Sequence, residues 1–208
     1  EFIRLQSQFA QDYPNAFETL EIHEVKPFSR LYRWKGTDTG KKPILLMAHQ
    51  DVVPVTPGTE EDWKYPPFEG CLADGSIWGR GAIDMKNALC GIFEAMEYLI
   101  GKGFVPDRDV YFCNTCDEEI MGPGCGSVSA LCKQLGLHFE FVLDEGGSFL
   151  DGAVLGVKDR LLASVCTFEK GYCDVRLTTT DAGGHSAAPG PETALSRMAR
   201  ALAAIEKN

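Results

Sequence analysis

Residues with acidic or imidazole side chains follow three predicted strands, and one more precedes a predicted helix. They are His49 and Asp51, Asp117, Glu118 and Glu119, Asp144 and Glu145, and Asp84. One imidazole and several carboxylates form the mixed nitrogen and oxygen set that zinc, cobalt or manganese binds with open catalytic positions. A closed structural zinc site would use thiolates instead. The residue types therefore favour a catalytic metal site.

His49 and Asp51 are the first pair at a strand end. Side chains two residues apart on a strand share a face, so these two point the same way. An isolated histidine is more often structural than a metal ligand. Here the Asp51 carboxylate can accept the imidazole N–H and determine its tautomer, as carboxylates beside metal-bound histidines do.

The three consecutive acids 117–119 repel each other, and an arbitrary run of this kind would indicate a solvated loop. After a buried strand, the acids need a positive partner that offsets their desolvation, and a divalent cation supplies one. Asp84, in the segment GRGAIDMKN, would by itself be interpreted as a helix N-cap. With the strand-end groups, it becomes a candidate ligand.

Cys113 and Cys116 precede the acids in CNTCDEE and suggest a competing thiol or structural zinc site. Three residues apart on a strand, they lie on opposite faces and cannot hold one ion together unless the strand bends. A redox Cys-x-x-Cys normally lies at a helix N-terminus, which stabilises the thiolate. This pair instead precedes acids that raise a thiol pKa, so we interpret both cysteines as packing residues.

Strands alternate with helices along the first part of the chain, which predicts an α/β fold with a mixed central sheet and flanking helices. Ligand sites in such sheets lie beyond the carboxyl ends of the strands. The predicted elements are a helix ending at residue 12, extended segments 18–35 and 42–50, a long loop to residue 70, a helix from Met85, a strand 109–116, a helix 126–136 and a central strand 139–144.

A second unit is predicted to begin near residue 165, which divides the chain into domains 1–164 and 165–208. The segment LLASVCTFEKGYCDVRLTTT alternates as an antiparallel strand pair would, and a helix is expected from Pro191, with proline in its first turn. One strand pair and one helix cannot close a domain. We therefore interpret 165–208 as the start of a small α+β domain.

The bulk composition excludes some classes of protein. The chain has 208 residues with 30 Asp and Glu against 20 Lys and Arg, which argues against a nucleic-acid or anionic-membrane binder. No run of about 18 apolar residues exists, so no membrane span is expected. Eight cysteines without disulfide-scaffold spacing indicate reduced thiols and a cytoplasmic location. The first residues lack Met and an apolar signal core, which suggests a fragment that begins inside a helix.

Several blocks in order resemble the di-zinc exopeptidases and amidohydrolases that include aminoacylase, carboxypeptidase S, glutamate carboxypeptidase and succinyl-diaminopimelate desuccinylase. The blocks are MAHQDVVPV, DWKYPPFEG, IWGRGAIDMKN, CDEEIMG, VLDEGG and GGHSAAP, from about residue 42 to 190. HQDVVPV and WGRGAIDMK are most similar to the carboxypeptidase S and aminoacylase branch. The resemblance implies a zinc-exopeptidase-like fold, with a lid or dimerisation domain from residue 165. It also implies hydrolysis of an amide bond in small peptides or N-acyl amino acids.

The resemblance implies two divalent metal ions, zinc first, with cobalt or manganese as alternatives. His49 would bind one ion, Asp84 would bridge both and Glu119 would bind the other. The next ligand would be Asp144 or Glu145, and both stay open. A cis peptide bond is implied between Asp84 and Met85.

The resemblance also implies the catalytic groups. Asp51 would orient His49, and Glu118 would be the general base for a metal-activated water. His185, in GGHSAAP, would by itself be interpreted as part of a surface turn. The family match makes it the residue that reaches from the lid into the partner subunit's site, which implies a homodimer through the lid.

One departure from the family pattern opens an alternative. The family takes a last metal-binding histidine from a part of the catalytic domain after the lid, and none of the four histidines here fits that role. This implies a chain that lacks the C-terminal part and is inactive alone. The alternative is therefore a non-catalytic relative, or an inactive fragment, that associates through its lid.

Overall fold

The computed structural model describes residues 1–208 except Lys26, Glu169, Ser186, Pro189 and Asn208. The chain divides into two compact units, residues 1–163 and 164–208, and each is described by itself. None of the described helices combines the length and apolar composition that a membrane crossing needs.

Among its described residues, the first unit contains four helices and nine strands. The helices are α1 (Phe2–Asp12), α2 (Pro14–Thr19), α3 (Lys86–Gly101) and α4 (Gly124–Gln134). The strands are β1 (Glu21–Val25), β2 (Ser29–Trp34), β3 (Ile44–His49), β4 (Cys71–Ala73), β5 (Ser76–Trp78), β6 (Val110–Thr115), β7 (Val142–Leu143), β8 (Phe149–Asp151) and β9 (Leu161–Ala163). Two 3-10 turns span Glu60–Asp62 and Gly152–Leu155.

Five of these strands form one mixed sheet in the order β1-β2-β6-β3-β7, which confirms the predicted fold class. β1, β2 and β6 pair antiparallel, whereas β6, β3 and β7 pair parallel. In the parallel pair β3–β6, His49 lies opposite Thr115. The residues that follow these two strands therefore leave the sheet side by side.

The central strands are apolar on both faces because helices cover both. On one face, Tyr32 and Phe112 join Leu89 and Phe93 of α3 in a buried cluster. α3 presents its apolar residues at helical spacing, which lets one stripe of the helix cover the sheet. On the other face, Leu31, Tyr111 and Cys113 pack with Val128 and Cys132 of α4.

The structure corrects two strand predictions in the first unit. Within 18–35, Glu21–Val25 and Ser29–Trp34 form the antiparallel pair β1–β2, not one extended segment, and α2 extends to Thr19. The predicted central strand 139–144 is reduced to β7, which lies at the edge of the described sheet. Its Val142 and Leu143 side chains are more than half exposed, so an apolar run at this position does not mark a buried strand.

In the second unit, the described residues form one helix, α5 (Ala194–Glu206). It begins after Thr193, not at Pro191, because Thr193 and Ser196 form a capping box: Ser196 N donates to Thr193 Oγ1 at 3.2 Å and Thr193 N to Ser196 Oγ at 2.9 Å. No strand forms among the described residues of 164–193, so the predicted antiparallel pair is wrong for this structure. Phe168 and Val175 in this segment are largely exposed. An alternating pattern does not form a strand pair under these conditions, because a two-stranded hairpin that packs against nothing is only marginally stable.

The aromatic cluster around Phe93 is expected to carry much of the stability of the first unit. Its ring lies 5.0–5.7 Å, centroid to centroid, from the rings of Phe9, Tyr13, Phe17, Tyr32 and Phe112. Phe93→Ala should lower the free energy of unfolding by about 3–5 kcal/mol, because it leaves a cavity in a fully buried site. Urea unfolding followed by circular dichroism measures the change.

Tyr98 is the matched control, since it lies on the same helix with an exposed side chain. Tyr98→Ala should change the free energy of unfolding by no more than about 0.5 kcal/mol. Equal losses for the two variants would contradict the assignment of this cluster as the core.

Candidate metal centre

The carboxyl ends of β3 and β6 place the first candidate residues together. His49 is the last residue of β3 and only 1% exposed. The pairing continues one step beyond the strands, because Gln50 N donates to Thr115 O at 2.9 Å. The loop that begins at Asp51 therefore leaves the sheet beside the loop that carries the acids 117–119.

Asp51 joins these two loops. Its carboxylate accepts the main-chain N–H of Glu118 at 3.2 Å and of Glu119 at 3.0 Å. Nδ1 of His49 lies 3.1 Å from the Asp51 carbonyl oxygen and 3.4 Å from its Oδ1. Asp51 thus contacts the imidazole on one side and positions both glutamates on the other.

The other ring nitrogen of His49 faces carboxylates. Nε2 lies 3.0 Å from Asp84 Oδ1, 3.4 Å from Glu145 Oε1 and 3.8 Å from Glu118 Oε2. One ligand atom each from His49, Asp84 and Glu145 lies within 4.8 Å of the others. In the described part of the chain, this is the one group of three such residues close enough to share a metal ion.

The electrostatics of this cluster fit a cation. Burial and the nearby Asp84 and Glu118 raise the pKa of Glu145 to about 7, although His49 opposes the shift. Burial also raises the pKa of Glu118. For His49, burial disfavours the charged ring, but Glu145 and the other carboxylates outweigh this and raise its pKa. A divalent cation would relieve this crowding of negative charge, and one nitrogen with two oxygens is a donor set that zinc accepts.

Asp144 and Glu119 lie outside this group of three. Asp144 Oδ1 accepts the N–H of Glu145 at 2.9 Å, and Asp144 lines the cavity that His49 also lines, but it is Glu145 that places an oxygen 3.4 Å from His49 Nε2. Glu119 Oε1 accepts the N–H of Val53 at 3.3 Å. His185 belongs to the second compact unit, where its Nδ1 accepts the N–H of Ala187 at 3.1 Å.

Asp84 reaches the cluster from the end of the long loop. It does not cap α3, because Met85 occupies the N-cap position. The peptide bond between Asp84 and Met85 is cis, where the family resemblance placed it.

The two cysteines of CNTCDEE lie inside the protein. Cys113 and Cys116 are both buried, and burial raises the pKa of the Cys113 thiol. Cys116 Sγ lies 3.5 Å from Ser29 Oγ. Neither sulfur belongs to the group that could share a metal ion, which agrees with their interpretation as packing residues.

A cavity of about 240 Å³ opens beside the cluster. Its lining includes His49, Glu118, Met47, Met121 and Cys125. The last three were not identified as site residues from the sequence. A signal was present only for Met47, which lies two residues before His49 and so on the same face of β3.

The model of Peptidase family M20/M25/M40 matches residues 45–207. The chain belongs to this family. The matched stretch contains every candidate residue of the site, and the match confirms the resemblance inferred from the sequence blocks.

Curated relatives of this M20 chain include peptidases and an acyl-amino acid enzyme. "Probable carboxypeptidase S-like 2" of Dictyostelium discoideum is 37% identical over 100% of the chain and 40% of the relative. The human "N-fatty-acyl-amino acid synthase/hydrolase PM20D1" is 37% identical over 94% of the chain and 38% of the relative. Carboxypeptidase S of Saccharomyces cerevisiae is 36% identical over 100% of the chain and 36% of the relative. The chain thus spans about 40% or less of these relatives' length.

Solved structures share the fold. Human carnosine dipeptidase 1 aligns with 73% of this chain and 40% of its own, at a TM-score of 0.53 and 16% identity. The M20 family metallo-carboxypeptidase Sso-CP2 of Sulfolobus solfataricus aligns with 68% of this chain and 32% of its own, at a TM-score of 0.51 and 22% identity. At these identities the likeness shows the fold alone.

Glu145 and Asp144 can be separated by experiment. Glu145→Gln should weaken Zn²⁺ binding at least about tenfold, because glutamine cannot supply the negative charge that a carboxylate facing His49 gives to a bound cation. Asp144→Asn keeps the oxygen that accepts the Glu145 N–H, and should change the affinity by less than about threefold. Competition titration of the full-length protein against a zinc chelator measures both. A larger loss for Asp144→Asn would reverse the assignment.

Proposed function

We propose that the protein is a metal-dependent hydrolase that cleaves an amide bond in small peptides or N-acyl amino acids. The observation that carries the proposal is the ring of Asp84, Glu145 and Glu118 oxygens around Nε2 of the buried His49. Family membership supports it, as do relatives named as carboxypeptidases and as an N-fatty-acyl-amino acid synthase/hydrolase.

His49, Asp84 and Glu145 would hold one divalent ion, for which zinc is the first choice. Asp84 would also contact a second ion, together with Glu119. Zinc ions bound there would lower the pKa of a water molecule and polarise the substrate carbonyl. Asp51 supports this arrangement, because it contacts Nδ1 of His49 and holds the main chain of Glu119.

Glu118 is the proposed general base. Its Oε2 lies 3.8 Å from Nε2 of His49, at the rim of the proposed metal ligands, and its side chain remains half exposed to the cavity. Burial raises the pKa of Glu118, which suits a group that must take a proton from water and return it. Glu118 would accept the proton as water attacks the carbonyl carbon, then donate it to the leaving amine as the C–N bond breaks.

His185 and residues 165–208 are proposed to act in a homodimer. The GGHSAAP block supports a lid that brings His185 to the partner subunit's site, where the imidazole would stabilise the oxyanion. A cytoplasmic location is also proposed, and it is supported by eight cysteines that are all free thiols.

A non-catalytic role in lid-mediated association is the second candidate. It is favoured by one observation: within the described residues, no second group of three ligands forms around Glu119. The family resemblance implies a second ion at Glu119, so a hydrolase of this type needs a further ligand for that ion.

The two candidates are separated by metal analysis and substrate hydrolysis with the full-length protein. The enzyme proposal expects bound zinc and release of free amine from a panel of N-acyl amino acids and dipeptides, lost with a chelator and restored by Zn²⁺. Dimerisation without any metal-dependent hydrolysis would favour the association role.

Glu118→Gln tests the role of the base. The variant should retain bound metal and lose at least about a hundredfold in kcat, since glutamine cannot accept the proton. Metal content and steady-state hydrolysis by the full-length protein are the measurements. Turnover near the unsubstituted rate would defeat the assignment.

A further inference from the structure

We propose that Asp117 is a positioning residue, whose carboxylate holds the Glu118–Glu119 segment in place through the main-chain N–H of Gly124. The inference rests on the proposed function and extends it to the one acid of the DEE run without an assigned role. Asp117 lines the cavity beside His49 but is only 9% exposed.

The Asp117 carboxylate is committed to the start of α4. The N–H of Gly124 lies 2.9 Å from Oδ2 and 3.1 Å from Oδ1. The N-cap residue of α4, Pro123, makes no side-chain capping bond. Asp117 therefore supplies the anionic acceptor at the positive end of this helix from seven residues upstream, and this ties the acidic loop to a rigid element.

The chain between Asp117 and Gly124 is closed by further bonds. Gly122 N donates to Asp117 O at 2.8 Å, and Met121 N donates to Glu118 O at 2.8 Å. From the opposite side, the Asp51 carboxylate accepts the N–H groups of Glu118 and Glu119. Both glutamates are thus held between two carboxylates: Asp51 positions their main chain, and Asp117 closes the loop behind them.

Two glycines make room for this contact. A Cβ atom at Gly124 would lie 2.1 Å from Asp117 Oδ1, and one at Gly122 would lie 2.3 Å from Oδ2. Such distances require the carboxylate to move. At Gly126, two residues further along α4, a Cβ atom would meet nothing within 4 Å. The helix therefore accepts a side chain at Gly126, whereas Gly122 and Gly124 leave space for Asp117.

A purely stabilising helix cap is the competing explanation, and kinetics separate the two. Asp117→Ala in the full-length protein should lower kcat by about 10²-fold with KM changed by less than about threefold, at a temperature where the variant is folded, because a displaced base loses its alignment. Asp117→Asn keeps an acceptor for Gly124 N and should recover most of that loss. A lower Tm with unchanged kcat would show a cap alone and overturn the proposal.

Gly124→Ala tests the same contact from the other side. It should reproduce much of the kcat loss, because the new methyl group displaces the carboxylate. In the Asp117→Ala background the clash with the carboxylate is gone, and only Ser29 Oγ, 2.9 Å from the new Cβ, must still shift. Gly124→Ala should therefore add much less to the loss than it causes alone, the non-additivity expected of direct contact. Gly126→Ala is the matched control and should leave kcat unchanged. Independent, multiplicative losses in the double variant would contradict the proposal.

Hydrogen exchange provides a readout that does not depend on activity. Without added metal, the peptide spanning residues 117–124 should exchange at least about tenfold faster in Asp117→Ala than in the unsubstituted protein, with α3 unchanged. Unchanged exchange would overturn the proposal. If the unsubstituted protein hydrolyses none of the substrates, the proposed function fails, while the exchange result still decides whether Asp117 holds the loop.

Discussion

The parallel pairing of β3 with β6 is the constraint on which the site depends. It sets His49 opposite Thr115, so that the two chains leave the sheet at the same edge. Asp51 then joins them with hydrogen bonds from Glu118 and Glu119. Without this pairing, Asp51 and Glu118, which are more than sixty positions apart in the chain, would not lie close together. The apolar side chains on both faces of these strands hold that edge in place, because α3 and α4 cover opposite sides of the sheet.

The site concentrates negative charge around one buried imidazole. Such an arrangement costs desolvation and repulsion, which the raised pKa values of Glu118 and Glu145 report. Within the described residues, the structure offsets part of this cost with main-chain N–H groups. Asp51 accepts two of them, and Asp117 accepts one. The carboxylates left facing Nε2 of His49 belong to Asp84, Glu145 and Glu118, which is where a metal ion would be most strongly stabilised.

Much of this arrangement was predictable from the sequence. The mixed sheet followed from apolar runs that alternate with helical spacing, and His49 with Asp51 followed from the period of a strand. Predictions failed where packing outweighs local pattern. The apolar segment 139–144 forms only a short, exposed edge strand, and the alternating segment after residue 163 forms no strand among its described residues. The helix α5 begins after Thr193, and not at Pro191, because the Thr193 hydroxyl accepts an N–H of the first turn of α5.

By itself, the sequence determined which residue types stand at the strand ends and the family to which their order points. It could not choose between Asp144 and Glu145, because adjacent side chains differ in direction and only the three-dimensional path of the loop aims one of them at His49. Nor could it reveal that Asp117 turns away from its two neighbours to bind Gly124. Three consecutive acids look equivalent in the chain. They become different because the loop reverses direction between β6 and α4, and each carboxylate meets a different set of donors there.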